Sequence, residues 1–215
     1  MTGYFPPSHL QETLFTASEA WKITDVNPPV QRDWRTRGLL AKNEGWTRFT
    51  PEDLIHVALR DAMRHLGLPH TSPDVDLRNA ALQAQSWAAV YPGAVGHKVG
   101  TNSEDHPVRS LMPSAQFRFA ATTTPWQDCA SLELFADFDD LREMLAAEDG
   151  RSGVAIIDLK AVGLKVAERA GKKLWLVARG PSAEAIALAR DAARNGDELA
   201  KEALRDAGFK SEFSK

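Results

Sequence analysis

The chain has a single cysteine, Cys129, among its 215 residues, so it cannot contain an internal disulfide framework. It has no apolar run long enough to cross a bilayer, and no N-terminal stretch in which basic residues precede an apolar segment, as in secretion signals. These absences predict a cytoplasmic protein that neither enters a membrane nor binds one.

The charge balance sets further limits on the function. The net charge is −3 at pH 7, whereas a protein that acts only by wrapping nucleic acid is normally far more basic. Hydrophobic residues make up 43% of the chain, which is enough for a proper core. A length of 215 residues leaves room for one large domain or two small ones.

The clearest local pattern is a series of helix starts in the first third of the chain. Thr16, with Glu19 three residues later, predicts a capping box in which each side chain binds a free N–H at the helix start. Asn27 before Pro28-Pro29 predicts the N-cap of a second, short helix. Thr50, followed by a proline and two acids, predicts the start of a third helix.

The periodicity of these helices predicts which faces are buried. Val30 and Trp34 lie one turn apart and would form the buried stripe of the second helix, which ends at Gly38. Its outward side would carry Pro29, Gln31, Arg32, Arg35 and Thr36. In the third helix, apolar residues recur at helical spacing until Gly67 ends the run: Leu54, Val57, Ala58, Ala62 and Leu66.

This ordered set of motifs, over residues 16–68, resembles the MerR-type DNA-binding domain, a winged helix-turn-helix. Val26-Asn27-Pro28 stands for the V-S-P that opens the second helix in that family, and Arg32 falls on its arginine. Gly38-Leu39-Leu40 matches the terminal G-L-L, and Gly45 to Phe49 occupies the place of the wing. The remainder of the chain does not take part in the resemblance.

The resemblance implies that helix 28–37 reads the major groove of double-stranded DNA. Gln31 and Arg35 are one turn apart, and would pair with adenine and guanine respectively. The predicted phosphate contacts are Arg32, Arg37, Lys42 and Arg48. The full predicted DNA-binding set is Pro29, Gln31, Arg32, Arg35, Thr36, Arg37, Lys42, Thr47 and Arg48. Residues 30–48 hold five basic side chains against two acidic ones, so this segment is locally positive in an acidic protein.

The chain departs from the family pattern at several positions. Gln31 replaces the usual leucine, Asp33 replaces the first tyrosine, and Thr47 stands at the wing arginine, with Arg48 one place later. Gly67 and the prolines that follow it also interrupt the long helix through which MerR-type regulators commonly dimerise. A dimer would therefore form through another part of the chain.

The predicted fold class is α+β: an N-terminal winged helix-turn-helix, then a small mixed α/β module and a helical tail. The predicted domains are an arm at 1–15, the DNA-binding domain at 16–68, a linker at 69–76, the α/β module at 77–180 and the tail at 181–215. Within the module and tail, periodicity predicts helices over 77–90, 138–145, 162–170 and 181–208, the last interrupted at Asn195-Gly196. Strands are predicted over 116–121, 131–135, 154–159 and 173–178. Residues 91–113 read as an irregular segment.

The predicted function is a sequence-specific DNA-binding transcriptional regulator. Double-stranded DNA is the expected partner, and the second half is the candidate for a homodimer interface, an effector pocket, or a surface for RNA polymerase or another regulator. One alternative is a protein-interaction module that uses the winged helix to dock on protein. A second is a DNA-architectural factor, because the segment bears a looser likeness to phage excisionases and phage-type regulators.

No pattern in the sequence indicates an enzyme, a cofactor or a metal. Cys129 has no nearby histidine and no oxidoreductase spacing, so it is interpreted as an inert thiol. His97 and His106 are interpreted as members of a polar loop and not as metal ligands. The glycines between Gly93 and Gly100 match no phosphate-binding motif that follows a strand, and the acids from Asp137 to Asp140 favour a helix start.

Overall fold

The computed structural model describes residues 8–40, 48–72, 75–97, 115–122, 132–147, 154–179 and 183–206. These residues form an α+β structure, as predicted. Its strands are β1 (Ser8–Glu12), β2 (Phe15–Thr16), β3 (Arg48–Phe49), β4 (Val95–His97), β5 (Phe119–Ala121), β6 (Glu133–Phe135), β7 (Ile156–Asp158) and β8 (Trp175–Arg179). Its helices are α1 (Ala17–Thr24), α2 (Pro28–Thr36), α3 (Pro51–His65), α4 (Arg78–Ala89), α5 (Phe138–Ala147), α6 (Leu159–Ala170), α7 (Ala183–Arg194) and α8 (Glu198–Asp206).

The chain divides into two compact units. The larger comprises Glu12–Val95 and Met112–Trp175, and the smaller comprises Met1–Gln11, Gly96–Leu111 and Leu176–Lys215. The larger unit therefore contains the predicted DNA-binding segment together with most of the predicted α/β module. Whether residues 16–68 also fold on their own stays a prediction.

In the larger unit, a short strand pair and three helices follow one another along the chain. β2 pairs antiparallel with β3, so that Phe15 lies opposite Phe49, and both rings are fully buried. α3 is the longest described helix, and Ile55 and Leu59 are completely buried along it. The pair of strands thus joins the start of α1 to the start of α3 over this core.

A close helix pair, α4 and α6, forms a second part of the larger unit. Gly163 of α6 is buried against the backbone of α4, and a methyl group added there would meet Ala84 O and lie 2.9 Å from Ala88 N. Small residues on both helices, among them Ala84 and Ala88, allow this approach. α6 also packs against α1 and α3.

The strands of the larger unit that follow α4 form an antiparallel sheet in the order β6-β5-β7. Phe119 of β5 lies opposite Phe135 of β6 and Asp158 of β7. Within the predicted α/β module, the strand–helix–strand order over residues 154–178 led to the expectation of a mixed sheet that contains both strands. That expectation is wrong, because β7 and β8 belong to different sheets.

The smaller unit contains most of a second three-stranded sheet, in the order β1-β8-β4, and the helix pair α7 and α8. The predicted break at Asn195-Gly196 is confirmed, since Gly196 takes a left-handed conformation with φ +96° between the two helices. Ala189, Ala193, Ala200 and Leu204 form the core of this pair.

The helices and strands predicted after residue 76 are confirmed, with ends that differ from the predicted ones by at most three residues. Helices α4, α5, α6, α7 and α8 and strands β5, β6, β7 and β8 all fall on predicted segments. Four of the described strands were not predicted as strands: β1 and β2 lie in or beside the predicted arm, β3 lies in the stretch assigned to the wing, and β4 lies in the segment predicted to be irregular. Among the described helices, none combines the length and the apolar character that crossing a membrane requires.

Candidate nucleic-acid interface

The start of α1 is held by the predicted capping box. The hydroxyl of Thr16 accepts a hydrogen bond from the backbone N–H of Glu19 at 3.2 Å. The carboxylate of Glu19 in turn accepts one from the backbone N–H of Thr16 at 2.7 Å. Both groups at the helix start are thus satisfied, and the prediction is confirmed.

A tight connection of three residues joins α1 to α2. Asp25 has a left-handed backbone with φ 65°, and its N–H donates to Trp21 O at 2.8 Å. Val26 is buried, and the side chain of Asn27 accepts from Val30 N at 3.1 Å, which makes it the N-cap of α2. This hydrogen-bonded connection fixes the direction in which α2 leaves α1.

Gln31 lies in the core, and the expectation that it faces outward is wrong. Only 2% of its surface is exposed, and its amide nitrogen donates to Val26 O at 2.7 Å. Its Oε1 atom is buried without a hydrogen-bond partner. The side chain therefore holds the α1–α2 connection and cannot reach an adenine base in this conformation. Two features of the sequence favour burial of Gln31. It lies one turn from Trp34, and the MerR pattern has a leucine at this position.

Trp34 anchors the inner face of α2, as predicted. Its indole is 1% exposed and makes an edge contact with the ring of His70, with the centroids 6.1 Å apart. Leu39 N donates to Trp34 O at 2.9 Å, and Gly38 takes φ 76°, so the predicted end of α2 is confirmed.

Arg60 holds His70, the residue whose ring contacts Trp34, although the sequence pattern did not indicate a role for Arg60. It lies on α3 with little exposure, and its guanidinium donates to His70 O at 2.6 Å. Burial lowers the pKa of Arg60 below its usual value. Its spacing of three residues from buried Val57 is the signal that it would lie on the inner face of α3.

The opposite face of α2 is exposed along its whole length. Pro29, Arg32, Thr36 and Arg37 are all exposed, as predicted. The hydroxyl of Thr36 donates to Arg32 O at 3.0 Å, and Arg37 forms an ion pair with Asp33 at 2.9 Å. The face thus presents two guanidinium groups and one carboxylate, with the carboxylate already paired.

Arg35 connects α2 to β3. Its side chain is half-buried, its guanidinium donates to Arg48 O at 3.2 Å, and its central carbon lies 4.3 Å from the centre of the Phe49 ring. A hydrogen bond and a cation–π contact together hold the side chain against the strand. Sequence reasoning placed Arg35 on the outward face as a reader of guanine, whereas the structure gives it these contacts with β3.

Arg48 is exposed on β3, opposite Thr16 of β2. The strand pair holds its backbone, and the contact from Arg35 sets its distance from α2. Lys42 and Thr47, the other predicted residues of this region, lie outside the described residues.

Two ion pairs hold α1 against α6. Glu19 accepts from Lys172, just after α6, at 2.7 Å, and this contact, with the hydrogen bond from Thr16, lowers the pKa of Glu19 to about 2. Asp25 pairs with Arg169 of α6, and that contact lowers the pKa of Asp25. α1 therefore has a defined place on α6, and α2 follows from the end of α1.

The chain matches no family model and no curated protein. Across the described ranges, no group of three histidine, cysteine or acidic side chains is placed to hold a metal ion. Cys129 and His106 lie outside those ranges.

Proposed function

We propose that the protein is a sequence-specific DNA-binding transcriptional regulator, and that residues 16–68 form a winged helix-turn-helix of the MerR type. The observation that carries the proposal is the two-sided character of α2. Trp34 and Gln31 fix one side in the core, while Arg32, Thr36 and Arg37 stay exposed on the other. A short helix held in this way is suited to enter a major groove.

The burial of Gln31 changes which residues would read bases. Arg32 lies at the middle of α2, nearer the N-terminus than the other exposed arginine of this face, Arg37, and a helix in the major groove meets the base edges with its N-terminal part. A guanidinium group can bind guanine O6 and N7 with two hydrogen bonds. We therefore assign base reading to Arg32, with Pro29 beside it, and phosphate binding to Arg37.

The strand pair β2–β3 supplies the second part of the proposed interface. In the sequence, Gly45 to Phe49 stand where the MerR pattern has its wing, and β3 is the described part of that stretch. Arg48 at the start of β3 is exposed, and the Arg35 contact keeps it at a fixed distance from α2. A second cationic group at a fixed distance from α2 can bind the backbone phosphates that flank the groove.

The test compares two double variants that lose the same charge. Binding sites are first selected from random duplexes with the wild-type protein, and affinities are then measured by fluorescence anisotropy. We expect Arg32→Ala/Arg48→Ala to bind the selected site at least tenfold more weakly, because two charge-assisted contacts are worth roughly 2–5 kcal/mol. The control, Arg78→Ala/Arg142→Ala, removes two exposed arginines from α4 and α5 and should bind like the wild type.

Two results would contradict the proposal. The first is a wild-type protein that selects no sequence from the random pool. The second is equal affinity of both double variants for the selected site. Circular dichroism of each variant, which should match the wild type, separates a lost contact from a lost fold.

A further inference from the structure

A cavity of about 490 Å³ lies between α1, α3, β7 and α6, within the larger unit. Its inner wall is apolar and includes Ile23, Ile157 and Val166, all of them buried. Ala62 of α3 and the exposed Ala161 of α6 also line it, so a larger side chain at either position would reduce the space. The cavity lies apart from the exposed face of α2.

The polar side chains around the cavity already have partners inside the protein. The Asp61 carboxylate accepts from Arg64 at 2.7 Å, and His65 makes a contact of 2.8 Å with the Asp61 carbonyl. Lys165 pairs with Asp25 at 3.4 Å. Asp158 accepts from Arg118 at 3.1 Å, and the hydroxyl of Thr24 donates to Ala20 O at 2.7 Å. A charged ligand group entering the cavity would therefore have to compete with an existing pair.

We propose that this cavity is a binding site for a neutral, largely apolar small molecule. Its volume falls within the range of roughly 300–1,000 Å³ that is typical of small-molecule sites. Its apolar wall favours transfer of an apolar ligand from water, and the paired charges at its edge leave a neutral ligand as the best match.

The cavity lies next to the connection between α1 and α2, so a bound ligand would contact the residues that lead into α2. Ile23 and Thr24 line the cavity, and they are the last two residues of α1. Asp25 and Val26 follow directly and hold the connection to α2. An effect of the ligand on DNA affinity depends on the proposed function, whereas occupation of the cavity does not, so the test measures occupation without DNA.

The test uses N-phenyl-1-naphthylamine, an uncharged dye that fluoresces once it leaves water, titrated into the full-length chain. We expect a saturable rise in fluorescence with the wild-type protein. Ala62→Phe and Ala161→Phe each place a ring in the cavity from a different wall, and each should weaken dye binding by at least about tenfold. The control, Ala146→Phe, adds the same ring at an exposed position of α5 and should leave binding unchanged.

Three competitors of equal chain length test the chemistry of the ligand. We expect 1-octanol to displace the dye at a concentration about tenfold lower, or more, than octanoate or octylammonium requires. The reason is that either ion would lose its hydration on entering the cavity. The proposal is overturned if the dye shows no saturable binding, if both folded cavity variants bind it like the wild type, or if either ion displaces it as well as the alcohol.

Discussion

An amide side chain in a protein core is stable only when its polar atoms find partners, and Gln31 meets that condition at one end. Its nitrogen binds Val26 O, while its oxygen is buried without a hydrogen bond. A side chain in this position contributes to the fold and not to DNA reading.

Gln31→Leu tests that interpretation. Leucine loses one hydrogen bond but removes an unpaired buried oxygen, so the free energy of unfolding should stay within about 1 kcal/mol of the wild type. Affinity for the selected DNA site should change by less than about twofold, since no base contact is lost. Gln31→Ala, which leaves a void, should cost more than about 2 kcal/mol in urea unfolding. A large loss of DNA affinity in a stable Gln31→Leu protein would return the residue to the interface.

The close approach of α4 at Gly163 leads us to expect that even a small side chain at this position lowers the stability of the protein. Gly163→Ala should destabilise the protein by about 1–3 kcal/mol, because the new methyl group meets the backbone of α4 and not a flexible side chain. This loss is expected although alanine is the better helix former by about 1 kcal/mol. Glu168→Ala, on the exposed side of the same helix, should stay within about 0.5 kcal/mol in the same urea unfolding experiment. A Gly163→Ala protein as stable as the wild type would show that the two helices can separate at little cost.

At the scale of elements, the ion pair between Glu19 and Lys172 makes the attachment of α1 dependent on pH. The folded-state pKa of Glu19, about 2, lies below its ordinary value of 4.5. The stability that this carboxylate contributes is therefore fully present above about pH 4.5 and is lost as the pH falls toward 2.

Glu19→Gln removes the charge and keeps an acceptor for the Thr16 N–H. Since 41% of the Glu19 side chain is exposed, solvent screens the pair, and we expect a loss of only about 0.5–1 kcal/mol at pH 7. The difference from the wild type should shrink below pH 4.5 in unfolding measurements at several pH values. Glu143→Gln, at an exposed position of α5, is the matched control and should show no such convergence. A difference that stays constant from pH 7 to pH 3 would assign the effect to something other than this charge.

The elements that the sequence predicts well are those whose ends depend on neighbouring residues. The capping boxes at Thr16 and Thr50, and the helix end at Gly38, involve groups within a few residues of each other. Strand β2 was missed because it has only two residues, and β1 because its sequence, SHLQE, contains no β-branched or aromatic residue. The separation of β7 and β8 into two sheets depends on long-range pairing, which local periodicity does not record.

At the scale of the whole molecule, a protein of net charge −3 can bind DNA only through a local concentration of cationic groups. Each phosphate contact releases condensed counterions from the duplex, so the logarithm of affinity falls linearly with the logarithm of salt concentration. Under the proposed function, Arg48→Ala should reduce that slope by about 0.9, the value for one phosphate contact. The control, Arg142→Ala, should have the wild-type slope in the same anisotropy series. If Arg48→Ala also has the wild-type slope, Arg48 does not contact a phosphate.

The candidate interface was predictable in outline but not in the roles of its side chains. Charge and capping placed Arg32 and Arg37 correctly on the exposed face of α2. The contact of Arg35 with β3 depends on a partner that the tertiary fold brings close. The partner of Gln31 is the nearby Val26 O, and its spacing from Trp34 already favoured burial, but the charged and polar residues around it led to the prediction that it faces outward. The cavity beside α6 also depends on the tertiary fold and could not be predicted from local sequence. Its walls come from α1 and α3 on one side, and from β7 and α6, about 100 residues further along the chain, on the other.

The pairing of β2 with β3 has a practical consequence for the expression of an N-terminal fragment that contains α1, α2 and α3. A fragment that begins at Ala17 would lack Phe15, whose fully buried ring lies opposite Phe49, and would also lack the hydroxyl that caps α1. Such a truncated piece would expose an apolar hole at its amino terminus and aggregate. Expression boundaries for a fragment that contains α1, α2 and α3 should therefore be drawn upstream of residue 15.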